Sequence, residues 1–155
     1  MEQSRRRFLN SAGVTLVGLM AAAGLLGPDA LAAAQWNKAA FAARKLEDLA
    51  RILGGSAPQQ SGDIVFVGPE IAENGAVVPV EITSHVPGTE SIAILVEKNP
   101  NMLAANFTIP PGTLPEIQTR VKMAETCNVY ALVKAQGRFY YTAKEIKVTV
   151  GGCGG

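Results

Sequence analysis

The chain has 155 residues, of which 48% are apolar and 6% aromatic, and its 14 Lys and Arg nearly balance its 13 Asp and Glu. This length fits a single domain. Binding to nucleic acid or to an anionic membrane surface needs clustered cationic charge, which a nearly neutral chain does not supply. Neither class of partner is therefore expected.

Residues 1–34 have the pattern of an export leader. Arg5 and Arg6 precede an apolar stretch, and Ala-x-Ala cleavage sites end at Ala32 and Ala34. The apolar stretch is short and rich in Gly, which is too weak for a stable membrane span of about 20 residues. We predict that residues 1–34 are a cleaved twin-arginine signal peptide. The mature protein is then periplasmic and not attached to the membrane; the alternative is an uncleaved N-terminal anchor.

Residues 35–62 are predicted to form a helix and a linker. Asn37 can cap the helix, Gly54 and Gly55 can end it, and between them apolar residues recur at helical spacing: Ala42, Leu46, Leu49 and Leu53. The composition of residues 56–62 is typical of a linker that buries nothing.

Residues 63–150 switch to a periodicity of two, which is typical of strands. Seven strands are predicted, separated by turn signals: 64–67, 76–83, 92–97, 103–109, 116–123, 127–135 and 138–150. The sequence therefore predicts a mainly β fold, an immunoglobulin-like antiparallel β-sandwich preceded by the N-terminal helix. A small closed barrel is the alternative architecture.

A search for catalytic motifs finds little. The single His85 lies in a Pro/Gly turn, and there is neither a metal-binding His/Cys motif nor a Gly-rich phosphate loop. We interpret His85 as a solvated loop residue. The sequence predicts no catalytic residue, no metal and no cofactor, although a Ser/His/Asp triad is left open.

The C-terminus is the informative segment: Gly151, Gly152, Cys153, Gly154 and Gly155. Glycine loses more backbone entropy on ordering than any other residue, so we expect residues 151–155 to form a flexible arm that is thin enough to enter a narrow cleft. An exposed free thiol is a liability in an exported protein. We interpret Cys153 as a tethered thiol that is inserted into the active sites of other proteins, the alternative being an incidental Cys on a floppy tail.

The second cysteine, Cys127, is expected to be an inert buried side chain. If Gln136 and Gly137 form a two-residue hairpin loop, Cys127 lies opposite Ile146, give or take one residue for a possible bulge near Lys144. Val150 then lies about 13 Å further along, and the three residues to Cys153 reach back at most about 10 Å, so this geometry disfavours the Cα separation below about 7 Å that a disulfide requires.

The glycine-flanked Cys153, the strand that leads into it, the hairpin at Gln136 and Gly137, and the twin-arginine leader together resemble the SoxY family. SoxY proteins are the sulfur-carrier subunits of the periplasmic thiosulfate-oxidising system. The resemblance implies that Cys153 is the covalent attachment site for thiosulfate-derived sulfur and that the carrier itself catalyses no step.

The resemblance also implies partners. A haem-containing c-type cytochrome loads thiosulfate as a cysteine S-thiosulfonate, and a dimanganese thiosulfohydrolase releases sulfate to leave a persulfide. A sulfane dehydrogenase can oxidise that persulfide further. A second small sandwich protein, SoxZ, pairs with the carrier in a heterodimer.

The arm itself adds one expectation. It contains no Lys, Arg or His, and the Gly155 carboxylate lies two residues from Cys153. The thiol is therefore expected to stay mostly protonated at neutral pH, so that its activation comes from the partners' pockets.

Two other functions stay open at this point. Cys153 could pair with the thiol of another chain in a disulfide-linked structural dimer. The terminal Gly155 could instead carry a thiocarboxylate, as in ubiquitin-like sulfur carriers, although the export leader and the position of Cys153 argue against it.

Overall fold

The computed structural model describes residues 37–150. The predicted leader with Arg5 and Arg6, and the predicted arm at 151–155, lie outside this range. Two short helices come first, α1 (Lys38–Ala42) and α2 (Leu46–Ile52). Nine strands follow: β1 (Gln59–Gln60), β2 (Ile64–Val67), β3 (Ile71–Ala72), β4 (Val78–Ser84), β5 (Thr89–Val96), β6 (Leu103–Thr108), β7 (Glu116–Val121), β8 (Cys127–Ala135) and β9 (Arg138–Val148). Within residues 37–150, no helix is long and apolar enough to cross a membrane.

The strands form two sheets, which confirms the predicted sandwich. The larger sheet has the order β1-β9-β8-β5-β6, and the smaller one has the order β2-β4-β7. Alternate residues point between the sheets, because successive side chains of a strand face opposite sides. The core between the sheets includes Val78, Ile82, Ile94, Val129 and Ile146, all fully buried.

The hairpin between β8 and β9 has the predicted register. Gln136 and Gly137 both have positive φ, 51° and 72°, as a two-residue type I′ loop requires. Ala135 pairs with Arg138, and the ladder continues without a shift until Cys127 pairs with Ile146. The bulge that we allowed near Lys144 is absent from this ladder.

The prediction of one continuous N-terminal helix is wrong. The chain leaves the helical conformation after Ala42, and Lys45 is extended, with φ −133° and ψ 149°, before α2 begins. This break lets Ala40 and Ala43 as well as Leu46 and Leu49 be buried in one cluster. Tertiary packing therefore decides the break, since none of residues 43–45 is Pro or Gly.

The two helices cover the outer face of the larger sheet. Their buried residues share a second core with Ala93, Leu95, Leu132 and Phe139 of that sheet. Residues 38–150 thus form three layers, and within this described part of the chain the outer face of the smaller sheet carries no helix.

α2 ends at the predicted glycines by a Schellman motif. Gly54, with φ +82°, donates its N–H to the carbonyl of Arg51, and Gly55 donates to Ala50. Gly55 also lies against the buried ring of Phe139, where a Cβ on Gly55 would stand 2.0 Å from the nearest ring carbon. The close approach of α2 to the sheet therefore requires glycine at this position.

Two short parallel pairings modify the predicted antiparallel arrangement. β1 lies inside the predicted linker and pairs with Tyr140 and Tyr141, and β3 pairs with Lys147 and Val148. Both segments lie along β9. They satisfy backbone groups that an uncovered edge strand would leave unpaired.

Candidate functional site: the root of the C-terminal arm

The predicted arm leaves the domain from a firmly held strand end. Beyond Ile146, where pairing with β8 stops, the backbone is tied to a neighbouring segment. Lys147 N–H donates to the carbonyl of Glu70 at 2.9 Å, and Thr149 N–H donates to that of Ala72 at 3.1 Å. The carbonyl of Val150 then accepts from Gly75 N–H at 2.8 Å. We call residues 147–150 the arm root.

Two side chains reinforce the arm root. Thr126 Oγ1 accepts a hydrogen bond from Val148 N–H at 2.9 Å, and Thr149 Oγ1 donates to the carbonyl of Glu73 at 3.2 Å. With the three backbone bonds, these make five hydrogen bonds that fix the chain up to Val150. A backbone held at this density has little freedom of its own.

The segment that holds the arm root, residues 70–77, is itself fixed; we call it the gripping segment. Asn74 Oδ1 accepts from Ala76 N–H at 2.9 Å, which closes the turn, and the carbonyl of Gly75 accepts from Met123 N–H at 2.7 Å. Ala72 is buried in the core between the sheets. The gripping segment is therefore part of the packed domain.

The position of the arm root limits the reach of Cys153. Cys153, which lies outside the described residues, is the third residue after Val150. At about 3.3–3.6 Å per extended residue, its Cα can stand no more than about 10 Å from that of Val150. A pocket that accepts the thiol must therefore approach the arm root closely.

The other cysteine has the environment expected for it. Cys127 is a free thiol, 4% exposed, in the core between the sheets. Burial raises the pKa of the Cys127 thiol, because a thiolate would lose its hydration there; backbone hydrogen bonds from Lys98 act in the opposite direction more weakly. This thiol is suited to packing and not to chemistry.

The separation of the two cysteines can now be stated from the ladder. Cys127 pairs with Ile146, and Val150 lies four residues further along. At roughly 3.3 Å per residue this is about 13 Å, and the three residues to Cys153 reach back at most about 10 Å, so only a fully extended return along the strand would bring the two Cα atoms within the roughly 7 Å that a disulfide requires. That Cys153 forms no internal disulfide stays a prediction.

The structure places His85 far from the arm root. His85 is exposed and follows the end of β4 at Ser84, whereas β4 begins near the arm root at Val78. The length of the strand separates them by about 20 Å, twice the reach of the arm. Within residues 37–150, no group of three or more His, Cys, Asp or Glu side chains is arranged to hold a metal ion.

A groove of about 400 Å³ lies on the outer face of the smaller sheet. Val67, Gly68, Pro79, Glu81 and Arg120 contribute to its lining. Val65 and Val67, on the same strand, are 42% and 53% exposed. This face therefore presents apolar side chains that residues 37–150 leave exposed.

Cys153 and its flanking glycines were predicted from the sequence as site residues, whereas the hydrogen bonds that hold the arm root were not. β3 is two residues long and pairs in parallel with β9, so it has no periodicity to recognise. The turn at Asn74 and Gly75 was recognisable only as a turn. Nothing in a single sequence links Thr126 or Gly75 to residues 147–150.

Comparison with known proteins gives a family match. Residues 49–153 match the family model of the sulfur oxidation protein SoxY, a span that includes Cys153. The structure of the sulfur carrier protein SoxY from Chlorobium limicola f thiosulfatophilum superposes with a TM-score of 0.62 at 40% sequence identity. That match covers 68% of this chain and 97% of the other.

Two further solved structures are only distantly similar. One is a chain from a complex that concerns T-cell activation by the bacterial superantigen toxic shock syndrome toxin-1. It has a TM-score of 0.36 and 15% identity, and the match covers 55% of this chain and 98% of that one. The other is the human F-spondin reeler domain, with a TM-score of 0.38 and 14% identity, covering 62% and 96%. No curated protein sequence matches the chain.

Proposed function

The chain belongs to the SoxY family of sulfur-oxidation proteins, and on that premise we propose that it carries thiosulfate-derived sulfur covalently on the thiol of Cys153. Family membership supports a carrier role in sulfur oxidation. The observation that carries the finer proposal is the arm root: the backbone is fixed as far as Val150, and the cysteine follows within three glycine-flanked residues. A fixed origin and a short thin arm suit the delivery of one thiol into a narrow pocket.

The loading step forms one S–S bond. The Cys153 thiol loses its proton, its sulfur joins the terminal sulfur of thiosulfate, and two electrons leave the pair. We propose that a c-type cytochrome accepts these electrons one at a time, since each haem iron takes up a single electron, so that two haem equivalents are reduced for each thiol loaded. The product is a cysteine S-thiosulfonate, which carries one negative charge.

The release step is hydrolytic and balances without an electron acceptor. Water attacks the sulfonate sulfur, the bond between that sulfur and the sulfane sulfur breaks, sulfate leaves, and two protons are released. Cys153 keeps the sulfane sulfur as a persulfide. We propose a dimanganese thiosulfohydrolase for this step, and a sulfane dehydrogenase where the persulfide is oxidised onward before a second hydrolysis.

We propose that the partner enzymes, and not this chain, supply the catalytic groups. His85 lies about 20 Å from the arm root, beyond the reach of Cys153, and the Cys127 thiol is buried. Cationic or metal-bearing pockets would favour both the thiolate and the anionic adduct. We therefore propose that the chain is a substrate-carrying protein without bound cofactor, which its leader directs to the periplasm and which loses that leader on export.

We propose that a SoxZ-like subunit forms a heterodimer with the chain on the outer face of the smaller sheet. The apolar face of the N-terminal helices packs on the chain's own larger sheet. The groove beside Val67 and the exposed Val65 occupy the opposite side of the sandwich. Exposed apolar patches of this kind mark interaction sites.

The experiment reconstitutes the purified chain and its SoxZ-like subunit with the thiosulfate-loading c-type cytochrome of the same host. Haem reduction is followed after thiosulfate is added. With the wild type and with Cys127→Ala we expect the amount of reduced haem to rise in proportion to the amount of carrier. With Cys153→Ser we expect no haem reduction above background. Equal haem reduction with Cys153→Ser would refute the proposal.

A further inference from the structure

Exposed apolar side chains are concentrated at the arm root and on the gripping segment beside it. Within residues 37–150, seven large apolar side chains are exposed, and three of them lie at the arm root or on the segment that grips it. These are Ile71 at 57% exposure, Val77 at 52% and Val150 at 65%. We call Ile71, Val77 and Val150 the root residues.

The backbone of each root residue is held in place. Ile71 lies on β3 and pairs with Lys147, and the N–H of Val77 donates to the carbonyl of Asn74 within the turn that grips Val150. Val150 is fixed by its bond from Gly75. Their exposure is therefore a property of the packed domain and not of a loose end.

The reach of the arm explains what meets this surface. Five residues follow Val150, and the thiol is on the third of them. Because Cys153 can stand no more than about 10 Å from Val150, a pocket deep enough to enclose the thiol brings its mouth against the arm root. The surface around Val150 thus becomes buried whenever the arm is inserted.

From this geometry we infer that Ile71, Val77 and Val150 are the docking surface for the mouths of the enzymes that act on Cys153. The inference rests on the proposed carrier function. It commits to one occupant: an enzyme surface with an apolar rim around a narrow opening. Since every insertion brings the same residues against the enzyme, the loading and the releasing enzymes use the same docking surface.

Charge on the gripping segment adds a requirement for the rim. Glu70 and Glu73 are exposed beside the root residues, and Lys147 of the arm root is exposed as well, so two carboxylates face one ammonium group here. The carboxylates of Glu70 and Glu73 would repel acidic side chains at the rim of an enzyme's opening and would attract Lys or Arg side chains there. The expected mouth is therefore apolar at its edge with cationic groups outside it.

The test uses the double variant Ile71→Ser/Val77→Ser and, as a second probe, Val150→Ser. Leu114→Ser is the matched control, because Leu114 is 79% exposed but lies at the other end of the smaller sheet, about 20 Å from Val77. All are made in the full mature chain with its SoxZ-like subunit. Initial rates are measured against carrier concentration, with the thiosulfate-loading cytochrome and with the thiosulfohydrolase acting on loaded carrier.

We expect the double variant to raise KM about tenfold or more with both enzymes while kcat changes little, and Val150→Ser to raise it less. The reaction of Cys153 with a small aromatic disulfide reagent should keep its wild-type rate, since no docking is involved. Leu114→Ser should keep the wild-type KM.

Two results would overturn the inference. One is a KM for the double variant and for Val150→Ser that matches Leu114→Ser with both enzymes; the other is an effect confined to one enzyme. Cys153→Ser, run in parallel, separates this failure from failure of the carrier function. If Cys153→Ser is loaded like the wild type, the carrier function and the docking inference fall together. If it is not loaded, only the docking inference is in question.

Discussion

The backbone N–H of Gly75 donates to the carbonyl of Val150 at 2.8 Å, which ties the start of the predicted arm to the turn between the third and fourth strands. These residues are 75 positions apart in sequence, and their contact determines where the arm begins. The point from which the proposed carrier arm starts is thus set by residues 74 and 75, to which we assign no chemistry.

Thr126→Val tests the strength of this attachment. The variant removes the oxygen that accepts from Val148 N–H, in a partly buried position, so we expect it to lower the free energy of unfolding by about 1–2 kcal/mol. Thr149→Val removes a hydrogen bond of an exposed side chain and should cost less than about 1 kcal/mol. Urea unfolding measures both. Equal costs would contradict the stronger role of Thr126.

Gly55→Ala tests the close approach of the second helix to the sheet. The new Cβ would overlap the ring of Phe139, which is only 2% exposed and packs in the core under the helices. We expect a loss of about 1–3 kcal/mol in thermal or urea unfolding. Gly62→Ala is the control, since its Cβ would meet nothing within 4 Å. A near-neutral Gly55→Ala would show that the helix can shift without cost.

Those parts of the fold that depend on neighbouring residues could be predicted from the sequence. The hairpin at Gln136 and Gly137 was predictable with its register, because a two-residue loop fixes the pairing of every residue after it. The glycines that end the second helix were predictable too. Local signals of turn chemistry and periodicity carry this information within a few residues.

Long-range packing was not predictable in the same way. The break before Lys45 has no Pro or Gly to announce it, and it follows from burying both helices on one sheet. β3 has no pattern of its own and forms because β9 offers it an edge. For the same reason Cys153 was recognisable from its neighbours in sequence, while the grip on Val150 required the structure.

The buried thiol predicts a pH dependence of stability. Burial raises the pKa of Cys127 above its usual value of 9.0, so the folded protein keeps this proton at a pH where the unfolded chain releases it. Stability from this group is complete below the unfolded pKa and is lost as pH rises through the folded one. The wild type should therefore lose free energy of unfolding above about pH 9 more steeply than Cys127→Ala.

The comparison of these two proteins controls for other groups. Burial also raises the pKa of Tyr130, but that contribution is common to both and cancels in the difference. At neutral pH, Cys127→Ala should cost about 1–2 kcal/mol, because it shrinks a buried side chain by one heavy atom. Parallel pH profiles for the two proteins would contradict the assignment.

Val67→Asp tests the proposed heterodimer surface. The substitution places a carboxylate beside the groove on the smaller sheet, at a side chain that is 53% exposed in the single chain. We expect at least a tenfold loss of affinity for the SoxZ-like subunit with little change in stability, since desolvating an unpaired charge is costly. Sedimentation of the mixed subunits measures it. Leu114→Asp, at the far end of the sheet, is the control and should bind like the wild type; wild-type affinity of Val67→Asp would exclude this face as the interface.

The most direct test of the carrier mechanism is to locate the sulfur adduct by mass spectrometry. The mature chain is incubated with thiosulfate and the loading cytochrome, and its C-terminal peptide is sequenced. We predict a thiosulfate adduct on Cys153, its absence from Cys127, and its persistence after Gly154 and Gly155 are deleted, since the attachment is through the thiol. An adduct that survives Cys153→Ser, or that disappears with the terminal glycines because it sits on the terminal carboxylate, would contradict the account.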